Sequence, residues 1–136
     1  MTNPVERQRA DLDAYEDRAR RGPCFVCAFA SGHPDYGHHT VFEVEDHVAF
    51  LDRWPTLAGK VLVAPKRHVE YSLGSQQGNA HLHWHIAGLP PEVPHEQQFH
   101  ALMAEDGVLA KGPEESVDMA ARIRERIAAR GGLRVL

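Results

Sequence analysis

The segment His81-Leu82-His83-Trp84-His85-Ile86 alternates imidazole with large apolar side chains without a break. On a β-strand successive side chains point to opposite faces, so the pattern sends His81, His83 and His85 to one side and Leu82, Trp84 and Ile86 to the other. It predicts a strand over residues 79–87 with core on one face and chemistry on the other. Clustered imidazoles repel one another when protonated and pack no better than leucine would. Ten histidines in 136 residues, concentrated between His33 and His47 and between His81 and His100, also point to a site.

The remaining text supplies a small sheet for that strand to join. Val41, Phe42 and Val44, then Val48, Ala49, Phe50 and Leu51, are β-favouring runs split by a Glu45-Asp46 turn, which reads as a hairpin. Pro55 to Gly59 is a second turn, and Lys60-Val-Leu-Val-Ala64 is a third strand ended by Pro65. Val5, Leu12, Tyr15 and Ala19 recur at helical spacing over residues 4–20, and Gly22-Pro23 stops them. A second helix follows Pro113, runs from about Glu114 to Arg130 and ends at Gly131-Gly132. The expected fold is α+β: an antiparallel sheet of about four to five strands with N-terminal and C-terminal helices. One domain over 1–136 is expected, with the first helix in 1–22, sheet and active site in 23–95, and a loop and helix in 96–136.

Composition excludes several function classes. A formal net charge of -4 gives no basic surplus for gripping a nucleic acid backbone, so a polymeric nucleic acid partner is not expected. No apolar run approaches ~20 residues and the first residues lack the apolar stretch of a secretory signal, so the expected location is cytoplasmic and no membrane partner is expected. Cys24 and Cys27 would be reduced there, and their C-x-x-C spacing suits metal or redox chemistry better than a structural disulfide.

A histidine row serves two chemistries: holding a metal, or nucleophilic attack by one imidazole supported by its neighbours. The loop Leu73-Gly-Ser-Gln-Gln-Gly-Asn79 is small and amide-rich, and its backbone N–H groups suit a phosphate better than a buried cation. The phosphate reading therefore leads, with two alternatives kept: a nucleotide-binding regulatory module of little activity, and a metal-binding protein using His81, His83 and His85 as ligands.

The alternating strand resembles the signature of the histidine triad superfamily. Cys24-Phe-Val-Cys27, Val48-Ala-Phe-Leu-Asp52 and Gly59-Lys-Val-Leu-Val-Ala-Pro-Lys-Arg-His68 are similar, in wording and order, to that family's N-terminal half. The resemblance implies a hydrolase or transferase that cleaves a nucleoside phosphoramidate, dinucleoside polyphosphate or adenylate. His83 would attack the α-phosphate and form a nucleotidyl-histidine, and His81 and His85 would donate to phosphate oxygens. Gln77, Gly78 and Asn79 resemble the phosphate loop, Asp52 corresponds to the ribose-binding residue, and Phe50 and Leu51 would wall the base. Some members with this C-x-x-C bind zinc through both cysteines, the histidine of Pro-Lys-x-His and the first triad histidine, which would map onto Cys24, Cys27, His68 and His81 as a structural zinc set.

Two departures stand out. Only Val69 to Ala80 lie between His68 and the triad strand, where the family usually has a long helix and another strand. That helix ordinarily covers the sheet and contributes to the family's homodimer, so unless other helices cover Leu82, Trp84 and Ile86, an apolar patch results. Lys60 stands where many relatives carry histidine, offering phosphate a charge without imidazole chemistry.

Overall fold

A computed structural model describes residues 6–9, 11–70, 81–89, 91–98, 100 and 107–130. Four antiparallel strands form the main sheet: β2 (Thr40–Glu43), β3 (His47–Leu51), β4 (Val61–Pro65) and β5 (Trp84–Ile86), in the order β2-β3-β4-β5. Each strand pairs with the next in sequence, so the sheet is a meander. A separate two-stranded ribbon pairs β1 (Arg7–Gln8) with β6 (Val108–Leu109). Helices α1 (Leu12–Arg21), α2 (Phe25–Ala30) and α3 (Pro113–Ala129) accompany the strands among the described residues. Among the described residues no helix is long and apolar enough to cross a membrane.

Strand alternation divides the core in two. Val48 and Phe50 of β3 and Leu62 and Ala64 of β4 point to one face, where Val26 of α2 closes the cluster and Cys24, Phe25 and Phe29 pack around it. Val41 and Leu51 point to the other face and meet Ala120 of α3, flanked by Met119, Ile123 and Ile127. Phe50 is fully buried, and burying a side chain of that size contributes about 2–3 kcal/mol. The β4–β5 register sets Leu62 opposite His85 and Val63 opposite Trp84, which places His85 on the α2 face and Trp84 on the α3 face.

The N-terminal segment differs from the expected continuous helix. Arg7 and Gln8 form a strand, and Arg7 anchors it by donating to the carbonyls of Thr56 at 3.0 Å and Gly107 at 3.2 Å. Gly107 has φ +82°, and a Cβ there would collide with the carbonyl oxygen of Gln8, so this close approach requires glycine. The helix starts only at Leu12, where the Asp11 carboxylate caps it by accepting from the Ala14 N–H at 2.9 Å. α3 begins at Pro113, with Glu114 and Glu115 in its first turn, both suited to the positive end of a helix.

Of the strand expected over 79–87, only Trp84–Ile86 pairs as β5; His81 is held by an isolated bridge to Glu70, Leu82 and His83 lie outside any strand, and residues 79–80 fall outside the described residues. The apolar side of β5 is not covered. α3 packs against β2 and β3, leaving Trp84 49% and Ile86 57% exposed. The short connection from β4 is compatible with this arrangement because Glu70 bridges directly to His81 and the Leu82 N–H donates to Val69 O at 2.6 Å.

Candidate functional site

Cys24 immediately precedes α2 and Cys27 lies one turn into it, so both thiols face the end of β4. His68 follows β4, and His81 enters from the triad strand. Their four candidate ligand atoms all lie within 4.8 Å of one another. Cys24 Sγ is 3.2 Å and Cys27 Sγ 3.7 Å from His81 Nδ1; Cys27 Sγ is 3.3 Å from His68 Nδ1, and the two Nδ1 atoms are 3.2 Å apart. A tetrahedral ion with metal–sulfur bonds near ~2.3 Å and metal–nitrogen bonds near ~2.1 Å sets its ligands about 3.3–3.8 Å apart, so the arrangement fits a metal closely.

The outward nitrogens support the same assignment. His68 Nε2 lies 3.0 Å from the Glu70 carboxylate, and His81 Nε2 lies 2.8 Å from the Pro65 carbonyl. Both partners accept, so both Nε2 atoms carry the proton and both Nδ1 lone pairs face the thiols. Burial and the neighbouring Cys24 thiol push the Cys27 thiol up to about 11, so forming this thiolate calls for a cation. His81 is 1% exposed, and burial holds its ring below the usual histidine range.

His83 lies next along the row. Its Nδ1 is 2.6 Å from the carbonyl oxygen of His81, an acceptor, so Nδ1 is the donor there and in the neutral tautomer the lone pair falls on Nε2. The edge of Phe25 approaches at 5.4 Å between ring centroids and His85 at 4.9 Å, which fix the imidazole from two sides. His85 is pushed down to about 4, first by lost hydration and then by the positive charge of Lys60. It is therefore uncharged at neutral pH and offers a single N–H.

Lys60 and Asp52 form the charged end of the site. Lys60 Nζ lies 2.9 Å from Asp52 Oδ2, with side-chain exposures of 9% and 13%. The other carboxylate oxygen accepts from the Trp54 N–H at 3.0 Å. Asp52 thus has a charge partner and a backbone donor, which leave one further lone pair on each oxygen for a ligand hydroxyl. His38 meets Phe50 and Phe29 edge-on, with ring centroids 4.7 Å and 5.1 Å apart, and its Nδ1 donates to Tyr36 O at 2.7 Å. Burial lowers its pKa, and Arg53, Asp52 and Arg18 are the charges that act on it.

Several expected roles change on this geometry. His81 has both ring nitrogens turned to Pro65 and the cysteines, so it cannot also donate to a phosphate oxygen; the ligand role fits and the catalytic role does not. Leu51 cannot wall a base beside Phe50, because adjacent strand residues face opposite sides and Leu51 is buried under α3. Phe50 faces the histidine side as a buried floor beneath Phe25, Phe29 and His38. Gln77, Gly78 and Asn79 lie outside the described residues. Among the described residues the metal-compatible group contains neither His83 nor His85. Sequence reasoning missed His38, Phe25 and Glu70; only the histidine excess signalled the first, and nothing local signalled the others.

No family model matches the chain, and no curated protein does. Among solved structures, a hypothetical histidine triad nucleotide-binding protein from Sulfolobus tokodaii is similar with a TM-score of 0.60 and 21% identity, over 78% of this chain and 93% of that one. A Hit-like protein involved in cell-cycle regulation from Bartonella henselae is similar with a TM-score of 0.53 and 18% identity, over 72% of this chain and 91% of that one.

Proposed function

Because the chain has the fold of histidine triad proteins, we propose that it is a nucleotide hydrolase or transferase in which His83 attacks an α-phosphate. The substrate class is a nucleoside phosphoramidate, dinucleoside polyphosphate or adenylate. The observation that carries this reading is the 2.6 Å hydrogen bond from His83 Nδ1 to the His81 carbonyl, which fixes the tautomer with the nucleophilic lone pair on Nε2.

In the first step Nε2 forms a bond to phosphorus while the bond to the leaving group breaks. The leaving group departs with that electron pair and takes up a proton from solvent, which the attacking water of the second step gives back. Water then adds to phosphorus, the P–N bond breaks with its electrons returning to Nε2, and the nucleoside monophosphate is released. His85, uncharged beside His83, donates its N–H to a phosphate oxygen as charge develops there. Asp52 accepts from the ribose hydroxyls, and Lys60 offsets its charge. Phe25, beside His83, gives the base an apolar wall, backed from beneath by the buried Phe50.

Cys24, Cys27, His68 and His81 would hold structural zinc, a closed set that ties α2 to β4 and the triad strand. A cytoplasmic location agrees with two reduced thiols. Edge strand β5, with Trp84 and Ile86 exposed, supports a homodimer.

His83→Asn tests the reading. Turnover on a panel of the three substrate classes should fall by about 10⁴ or more while nucleotide affinity is retained. Parental rates in that variant would overturn the assignment.

A further inference from the structure

The turn after β3 carries a group of side chains that the proposed chemistry does not use. Arg53 Nη1 donates to the carbonyl oxygen of Asp35 at 2.8 Å, and Arg18 Nη2, from α1, donates to the same oxygen at 3.2 Å. Two guanidiniums thus converge on one acceptor. Among the described residues neither has a carboxylate within ion-pair distance, in a chain whose net charge is -4. Aromatic rings hold them in place: Arg18 lies 4.6 Å from the Tyr36 ring and 5.5 Å from Trp54, and Arg53 lies 5.2 Å from Trp54. Tyr15 meets Trp54 edge-on at 6.4 Å.

Like charges set side by side, with no carboxylate of the described residues at ion-pair distance, suit an anion. Each guanidinium has five N–H donors in a planar fork and spends one on Asp35, so a phosphate can bridge the remainder. A stacked base is less suited, because the approaches to Trp54 are already taken by two cations and a tyrosine ring.

The location narrows the ligand. The β4–β5 register sets His85 opposite Leu62, on the same face as Lys60, whose Nζ lies 2.9 Å from Asp52 Oδ2. The other Asp52 oxygen accepts from the Trp54 N–H at 3.0 Å, and the Trp54 ring carries both guanidiniums. Asp52 therefore lies between the His83–His85 pair and the arginine pair. A phosphate at the arginines is thus a second one, on the far side of the ribose anchor from the reacting phosphorus. The Lys60 ammonium 2.9 Å from Asp52 removes the repulsion that a bare carboxylate would impose on it.

We propose that Arg18 and Arg53 form a second anion subsite that selects nucleotides carrying an additional phosphate on the ribose, at the 2′ or 3′ oxygen. The inference rests on the nucleotide reading given above and adds a substrate class to it.

The test is calorimetric titration of the His83→Asn protein with adenosine monophosphate, adenosine diphosphate and the 2′,5′- and 3′,5′-bisphosphates. At least one bisphosphate should bind tenfold or more tightly than the monophosphate, and added salt should shrink the gain. Arg53→Met and Arg18→Met should each abolish most of it while monophosphate affinity stays within about twofold. Arg53→Lys should keep part, since the charge remains and the fork is lost. Equal binding of mono- and bisphosphates, a gain surviving Arg53→Met, or the same Arg53-dependent gain with the diphosphate would overturn the subsite and leave the nucleotide reading intact. No binding by any of the four ligands would bring both down.

Discussion

Replacing Lys60 by methionine keeps most of the aliphatic stem and deletes the ammonium 2.9 Å from Asp52. Both side chains are nearly out of water, at 9% and 13% exposure, so the carboxylate left behind keeps only the Trp54 N–H at 3.0 Å. Exposed ion pairs contribute about 0–1 kcal/mol, whereas removing one partner of a buried pair costs about 3–5 kcal/mol. One surviving hydrogen bond puts this case at the lower end, about 3 kcal/mol. At about 2.1 cal/mol/K per residue, unfolding this chain carries an entropy near ~0.29 kcal/mol/K, so the loss corresponds to about 10 °C in melting temperature. Adding Asp52→Leu removes the stranded carboxylate and should recover most of that loss. Scanning calorimetry on the parent, both single variants and the double variant closes the cycle. A Lys60→Met protein melting within about 3 °C of the parent, or a double variant as unstable as the summed singles, would refute the reasoning. The same substitution removes a cation that holds His85 down, so NMR should show that ring titrating above about 4 in Lys60→Met.

Elemental analysis should find one zinc per chain, absent from Cys24→Ser; Glu70→Ala should weaken the ion by about 10–100-fold against a competing chelator, and unchanged affinity would remove Glu70 from that role. Stability should fall on acidification through the histidines. The His85 ring titrates near 4 when folded and near 6.5 when unfolded, so between these values the unfolded chain binds more protons, and stability rises with pH through that window and is level above it. His38 and His81 act with the same sign. Thermal scans should show a gentler slope between pH 4.5 and 6.5 in His85→Asn, gentler by a modest amount because the residue is exposed and solvent screens it; an identical slope would contradict the shift. Trp84→Glu should lower the mass seen by light scattering at micromolar concentration if β5 joins two copies, and an unchanged mass would exclude that edge.

The β2–β3 hairpin and α3 were legible because each has a period that its own residues display, and the histidine alternation located β5, although only Trp84–Ile86 of the expected 79–87 pairs as strand. α2 was not, since Phe25, Val26, Ala28 and Phe29 are apolar on every side and six residues are too few for periodicity to separate helix from strand. β1 and β6 are two residues each and exist through one long-range pairing that leaves no local trace. Cys24, Cys27, His68 and His81 were readable as a set only through resemblance, yet the geometry brings them together. Leu51 is a different case. Alternation within Phe50-Leu51 already separates their faces, so that expectation was at odds with the strand it stood on. Exposure of Trp84 and Ile86 depends on which strands α3 happens to cross, a tertiary fact that no strand pattern carries.

The residue at position 81 joins two parts of the molecule that have different dependencies. Its imidazole is a corner of the sulfur–nitrogen cluster, and its main-chain oxygen is the acceptor that sets the tautomer of the next ring in the row. If the cluster holds an ion and His83 is the nucleophile proposed above, stripping the cluster would loosen the aim of that ring. On the proposed function, a protein starved of metal should lose turnover while still melting cooperatively, so that the supply of the ion would govern its output as well as its lifetime.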